Sequence, residues 1–422
     1  MIPIVWVQEA PQERVERFTL ERAVAQALER STSVKNAKRA VEADSKRADA
    51  TATALKPTLS ASASALRFDS PTRIVFTPGA APFTALPDHT ETLAITLAQR
   101  LDLYGQVRTA TSQARLQSLA DTFGVEGAVR AKTLQARLTY FGLLKARDQV
   151  SVAAAALTAA QAQQKQAQTL FDGGIGQKVD LLRANTALVQ AEQAVEVAKN
   201  GEAVARAAFN DAVHLPLDTK IELEHVATVP DLPDETTVNR LAESRDDVLQ
   251  AETLARATEL GVTLARVADK PSVALQATGN YYPTTSFQYP RQRTAAVGIS
   301  LNIPLSDGGL TRARTDEARL RAESAQGLVG ITKGNAALEA RQAYLNLRTA
   351  LKQIETARAA AEQARAARDL AQVRYAGQVG LFLELSDAQA ALVRAENAAV
   401  DALYDYHSAR ARFESAIGEK TR

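Results

Sequence analysis

The chain has 422 residues, and 50 Lys and Arg against 48 Asp and Glu leave a net charge of +2, so no strong field draws nucleic acid or an acidic partner. It has no cysteine, so no disulfide, thiolate metal site, cysteine nucleophile or lipid-modified N-terminal cysteine is expected. Hydrophobic residues make up 46% of the chain but aromatics only 5%. The apolar share is largely alanine, which suits long, closely packed helices rather than a wide globular core. No apolar run is long enough for a transmembrane helix, so a membrane protein remains possible only as a β-barrel.

Taken in chain order, residues 1–17 form an N-terminal tail. Its start, MIPIVWV at 1–7, is apolar with no basic segment before it, and reads either as the end of an export signal or as a loose terminus. Beyond the tail the chain is organised as an internal repeat. Leu97–Arg108 (LAQRLDLYGQVR) aligns with Leu301–Arg312 (LNIPLSDGGLTR) at a shift of 204. The same shift pairs Arg137 and Tyr140 with Arg341 and Tyr344, Phe171, Gly173 and Gly176 with Tyr375, Gly377 and Gly380, and Phe209 with Phe413. Upstream, Lys56-Pro57 matches Lys270-Pro271 at a shift of 214, so the first copy carries a longer loop. The copies span 18–214 and 236–418, joined by a proline-rich linker at 215–235 and ending in a short tail at 419–422.

Each copy opens with a helix, 34–55 and 248–268, stopped at Lys-Pro. Alternating segments at 59–68 and 92–101, and again at 273–282 and 295–305, read as two β-hairpins, 59–101 and 273–305. Their strands of about ten residues have the length of a tilted membrane strand, and equally that of a soluble hairpin. Long helical hairpins come next, 105–213 and 310–417. In the second, a proline-free helix runs from about 310 to 375, roughly 100 Å at about 1.5 Å per residue. The return helices are heptadic, with Ala184, Ala191, Ala198 and Ala205 seven apart, as are Ala388, Ala395, Ala402 and Ala409. Residues 220–229, within the linker, read as a possible small strand.

Three motifs carry a resemblance. Phe18–Leu28 (FTLERAVAQAL) looks like a "TLxEAVxxAL" opening helix. Arg245-Asp246-Asp247-Val248 with Ala251-Glu252 looks like "RPDVxxAE", with Asp246 in place of proline. Arg374-Tyr375 through Gln389 looks like "RYxxGxxxxLxLLDAQ", with Ser386 in place of leucine. Together with the repeat, they resemble the TolC-like outer-membrane efflux and secretion channels over nearly the whole chain. That resemblance implies a mainly α fold with a β-barrel portion: long coiled-coil hairpins forming an α-barrel in the periplasm, and four membrane strands per protomer, closed by a homotrimer into a 12-stranded barrel in outer-membrane lipid. Four strands cannot close alone, so the membrane reading itself requires assembly.

The resemblance also implies partners and sites. A periplasmic adaptor protein would dock at the hairpin tips, Gly173 and Gly176 in one and Gly377, Val379, Gly380 and Leu381 in the other, and an inner-membrane pump would supply the energy. Glu384 and Asp387, with Asp180 and Arg183 at the equivalent places of the first copy, would ring a periplasmic gate. On the alignment alone, Arg183 is expected to pair with Asp387 or Glu384. The same acids also suit a helix start, where they oppose the dipole. Tyr281, Tyr282, Phe287 and Tyr289 would form an interfacial aromatic belt or pack a loop. Tyr404, Tyr406 and Phe413 read as helix-seam packing, and His89, His214, His225 and His407 as surface or packing residues. No catalytic motif, cofactor site, metal site or nucleic-acid surface emerges, so the chain reads as a passive conduit rather than an enzyme. The competing reading is a periplasmic coiled-coil adaptor or scaffold without a membrane barrel.

Overall fold

The computed structural model describes residues 16–226, 228–230, 232–287 and 289–419; the apolar start at 1–7 and the last three residues lie outside the described residues. The elements in chain order are β1 (Glu16–Phe18), α1 (Leu20–Arg30), α2 (Thr32–Ala52), β2 (Thr58–Arg67), β3 (Thr72–Ile74), β4 (Phe83–Leu86), β5 (His89–Leu101), α3 (Gln106–Asp172), α4 (Lys178–Ala212), β6 (Ile221–Leu223), α5 (Glu235–Glu243), α6 (Asp246–Arg266), β7 (Ser272–Tyr281), β8 (Arg293–Asn302), α7 (Leu310–Ala376) and α8 (Phe382–Ala416). Both α3 and α7 have 67 residues. The glycines at 327, 330 and 334 do not interrupt α7.

The chain divides into two compact units that cut across the repeat. One takes Met1–Ala37, Gly124–Val248 and Ile331–Arg422; the other takes Lys38–Phe123 and Leu249–Gly330.

In the first unit, Thr19 caps α1 by accepting the Arg22 N–H at 3.2 Å, and the Ser31 hydroxyl accepts the Val34 N–H at 3.3 Å to start α2. The core repeats itself. Tyr140, Phe141, Leu143, Leu144 and Phe209 pack with Phe18 in one cluster, and Tyr344, Leu347, Tyr406 and Phe413 pack in a second with Val238 and Val248. The heptad alanines lie on the covered side of α4 and α8, as their spacing predicts: Ala184, Ala402 and Ala409 are buried. Tyr404, Tyr406 and Phe413 are buried, but the two tyrosines do more than pack. Tyr404 donates to Asp148 at 2.7 Å, and Tyr406 donates to the Pro230 carbonyl. His407 is buried and stacks on Phe141 with centroids 5.0 Å apart.

Two small strands meet in this unit. The 220–229 segment becomes β6, and it pairs in parallel with β1, which the sequence pattern does not reveal. Tyr140 fastens the pair, donating to the carbonyls of Phe18 at 3.2 Å and Glu224 at 2.7 Å.

In the second unit, the two hairpins join into one four-stranded antiparallel sheet, in the order β2-β5-β7-β8. The longer loop of the first copy, between β2 and β5, carries a small pair of its own, β3 with β4. β8 ends at Asn302 rather than 305. Its partner β7 begins at Ser272, after Pro271, so residues 303–305 have no strand beside them among the described residues.

Candidate functional site: two helical turns and a two-faced sheet

The two hairpin tips use one turn design. After α3, the N–H groups of Ile175 and Gly176 both reach the Leu170 carbonyl, at 3.0 and 2.8 Å; after α7, those of Val379 and Gly380 reach the Arg374 carbonyl, both at 3.0 Å. The left-handed residue is Gly174 in the first turn (φ 73°) and Gln378 in the second (φ 58°). Gly176 and Gly380 are required for a different reason than a left-handed backbone. A Cβ at Gly380 would stand 2.9 Å from Arg374 Cβ, and one at Gly176 would stand 2.8 Å from the Phe171 nitrogen. These glycines let the chain pass tightly over its own helix end.

The turns push apolar side chains outward. Ile175 is 65% exposed, its repeat equivalent Val379 74%, and Leu381 64%. Behind them the hairpins pack on one another: Ala167 and Ala184 from the first meet Tyr375, Phe382 and Leu385 from the second, with Phe382 only 1% exposed. Tyr375 meets Phe382 edge-on at 5.4 Å, and Gln372 donates to Gln166 at 3.1 Å. Burial, and secondarily the charge of Asp180 from the first hairpin, raises the Tyr375 pKa.

The charged residues at this end do not pair as the alignment suggests. Arg183 reaches Asp180, one turn back on its own helix, at 3.7 Å, and Glu384 is met at 3.6 Å by Arg374 from α7. A partner three residues away on the same face is nearer to Arg183 than one on another hairpin. Glu384 and Asp387 are exposed at the start of α8.

The sheet has two chemically distinct faces. Residues directly opposite in an antiparallel ladder share a face. The observed register therefore aligns Leu59, Leu97, Ala277 and Val297 on one side, with Ile95, Leu93, Leu275, Ile299 and Leu301. The other side carries Ser60, Thr96, Thr278 and Ala296, with Ser62, Ser64, Gln276, Asn280, Ser300 and Asn302. Leu59, Ile95, Val297 and Ile299 are all exposed, so this apolar face is open at those positions among the described residues.

The four aromatics selected from the sequence sit in different settings. Tyr281 lies at the end of the apolar face under Arg293, whose Cζ stands 6.0 Å from the ring centre. Tyr282 and Tyr289 stack on each other at 4.3 Å, and Phe287 meets Phe83 edge-on at 5.4 Å.

An apolar face of this length, open to its surroundings and backed by a hydroxyl and amide face, is the pattern of a membrane β-barrel wall. The family model for outer membrane efflux proteins matches residues 23–212 and 237–419, which covers both copies. The chain belongs to the outer membrane efflux protein family. Its fold is shared by solved channels of low sequence identity. The VceC outer membrane protein of Vibrio cholerae is 19% identical, with TM-score 0.81, over 94% of this chain and 96% of that one. The open-state MtrE channel of Neisseria gonorrhoeae is 21% identical, with TM-score 0.78, over 94% and 88%. The outer-membrane channel OprN is 21% identical, with TM-score 0.81, over 95% and 90%.

As a family member, the chain is an outer-membrane efflux duct with a helical part in the periplasm. The alternative of a periplasmic adaptor or scaffold without membrane strands is thereby set aside. In this efflux protein, Asp246, which stands where the family motif has proline, is held by Arg130 at 3.1 Å. Arg245 beside it is buried and makes a hub: it donates to Asp247 at 2.8 Å, to Glu339 at 2.7 Å and to the Ala416 carbonyl at 2.9 Å. In the sequence this motif stands out for its resemblance only. Nothing in its local charge pattern points to a partner more than 90 residues away.

Proposed function

We propose that the efflux duct is a homotrimer acting as a passive conduit, not an enzyme, with its four strands forming a third of a 12-stranded barrel. The two-faced sheet, with both edges unpaired among the described residues, carries this reading. Lipid offers no hydrogen bonds, so the strands beside β2 and β8 must come from other chains. The apolar face would meet the acyl chains and the hydroxyl and amide face would line the passage. The repeat boundaries 18–214 and 236–418 would then be the units from which the barrel is assembled.

In the same reading, a periplasmic adaptor docks at the turns, where Ile175, Val379 and Leu381 offer an apolar contact, and an inner-membrane pump supplies the energy. Asp180, Arg183, Glu384 and Asp387 would set the charge of the periplasmic mouth, net −2 per chain. Weighing the protein extracted in mild detergent is the direct test. A mass of three chains is expected, and a single-chain mass throughout would overturn the assembly.

A further inference from the structure

The internal repeat fixes more than the fold of one chain. Moving β2 forward by 214 residues and β5 by 204 turns the pair Thr58↔Ala98 into Ser272↔Asn302, and Arg67↔His89 into Tyr281↔Arg293. These are pairs that β7 and β8 make. The first hairpin thus predicts the register of the second without a slip. The same operation applies to the joint between hairpins. It carries the β5–β7 ladder onto a ladder between β8 and a β2 that the chain does not supply to it.

From this geometry we infer the register of the seam between copies: β8 of one chain runs antiparallel to β2 of the next, with Leu301 opposite Ala63. The seam rests on the trimeric barrel proposed above. Leu97↔Ala277 gives Leu301↔Ala63, Thr96↔Thr278 gives Ser300↔Ser64, and Leu101↔Val273 gives Leu305↔Leu59.

Three features agree with this seam. The first is backbone direction. The Phe68 N–H bonds the Asp88 carbonyl at 2.7 Å, and the Tyr282 N–H bonds the Gln292 carbonyl at 2.8 Å. Because direction alternates along a strand, the even-numbered residues of β2 and β8 point inward to their partners, and the odd-numbered ones point to the free edges. The inferred seam sets odd against odd, so each edge group meets one of the opposite kind.

The second is the side-chain face. Leu301, Ala63, Leu305 and Leu59 all belong to the apolar side, and Ser300 and Ser64 to the polar side, so both faces continue across the seam. A slip of one residue would turn one strand's polar face into lipid.

The third is the ragged end of β8. Ile303 is 52% exposed and Leu305 94%, and they extend the apolar alternation past the last residue paired with β7. The seam gives them Ala61 and Leu59 as neighbours. Pro304, the residue that lacks an N–H, is even-numbered, so in a continued strand it would face away from the seam.

Slips of two residues keep face and direction, so the test must separate them. The chain has no cysteine, and two introduced thiols are the only ones present. Directly opposed residues of this kind have Cα atoms about 4.5 Å apart, within disulfide reach, whereas diagonal neighbours lie at about 7–8 Å. The experiment oxidises full-length Ser64→Cys/Ser300→Cys in outer membranes. The expected result is a shift from one-chain to three-chain bands on non-reducing gels, absent in either single variant. Ser62→Cys/Ser300→Cys and Leu66→Cys/Ser300→Cys are expected to link far less. If either links better, the register is overturned while the trimer stands. If none links although the detergent-extracted protein weighs three chains, the register is likewise overturned. A single-chain mass overturns the trimeric reading itself, and the register with it.

Discussion

Tyr140 holds Phe209 with ring centroids 6.0 Å apart, and 204 residues later Tyr344 holds Phe413 at the same 6.0 Å. Each pair clamps the outgoing helix of a hairpin to its return helix, so the sequence repeat is a repeat of contacts. Phe209 is fully buried and Phe413 nearly so. Replacing either by alanine is expected to cost about 3–5 kcal/mol, through lost burial and the cavity left behind. Tyr140→Phe should cost less, about 1–2 kcal/mol, because it keeps the ring and leaves the Glu224 carbonyl without its donor. Denaturant unfolding of the helical signal in detergent measures both, and equal losses for Tyr140→Phe and Phe209→Ala would contradict the ranking.

The Arg245 hub predicts an acid-sensitive element. Burial pushes the Asp247 carboxyl up, but hydrogen bonds and charge pairing with Arg245 outweigh it and hold the pKa below its ordinary value. A carboxylate with a lowered folded-state pKa contributes stability above its unfolded pKa, and loses it as pH falls through the folded value. Stability is therefore expected to fall below about pH 4, and Asp247→Asn should flatten that limb of the melting-temperature profile. Arg245→Ala should be the more damaging change at neutral pH, because it leaves Asp247, Glu339 and the Ala416 carbonyl without their shared donor. Coincident pH profiles for Asp247→Asn and the parent would refute the assignment.

Elements with local signals are legible in the sequence. The proline-free run of α7, the heptads of α4 and α8 and the alternation of the four membrane-length strands each depend on residues within a turn or two of one another. β1 is not legible. It has three residues, and its partner β6 lies about 200 residues away in a parallel pairing that no turn signals. The ion pairs at the tips escape the sequence for a related reason. An alignment of repeats places Arg183 opposite Asp387 in sequence, but helix geometry brings Asp180 closer. From the sequence Gly380 is read only as part of a docking tip, whereas its need for a glycine, contact with Arg374 rather than a positive φ, emerges from the packing of the turn.

The two faces of the sheet predict opposite responses to charge. Val297 is 87% exposed on the apolar face. Val297→Arg is expected to cost about 2–4 kcal/mol near mid-membrane, and to reduce the amount of protein inserted in outer membranes. Ser62→Asp, on the polar face, should insert normally and shift the reversal potential in a salt gradient toward cation preference, since three copies would place three carboxylates around the passage. Normal insertion of Val297→Arg would reverse the assignment of faces.

The helical turns predict separable effects of shape and surface. Val379→Ser and Leu381→Ser remove exposed apolar side chains, while backbone groups make the turn's closing hydrogen bonds. The hairpin should therefore fold and insert while export falls. Gly380→Ala instead forces a Cβ against Arg374, and should loosen the turn itself, raising protease cleavage there. Normal export by the Val379→Ser/Leu381→Ser double variant would place adaptor docking elsewhere.

The ion pairs at the same end set the sign of a conductance prediction. Glu384 is partly neutralised by Arg374 at 3.6 Å, and Asp180 by Arg183 at 3.7 Å, which leaves Asp387 as the acid of this group with no ion pair among the described residues. In a threefold assembly, Asp387 would contribute three carboxylates to the mouth. Salt screens exposed charges beyond about 8 Å, so only ions within the constriction would feel them strongly. Asp387→Ala is therefore expected to lower cation preference and block by trivalent cations. Glu384→Ala should do so less, because the charge it removes is already partly offset by Arg374. Arg374→Ala should act in the opposite direction, unmasking Glu384 and raising cation preference. Because the exposed pairs are individually weak, about 0–1 kcal/mol, none of these variants should change the melting temperature appreciably. Planar-bilayer conductance of the purified protein, with reversal potentials in a salt gradient, reads all three. Unchanged selectivity in Asp387→Ala together with Arg374→Ala would mean that these charges serve only the helix start and not the passage of ions.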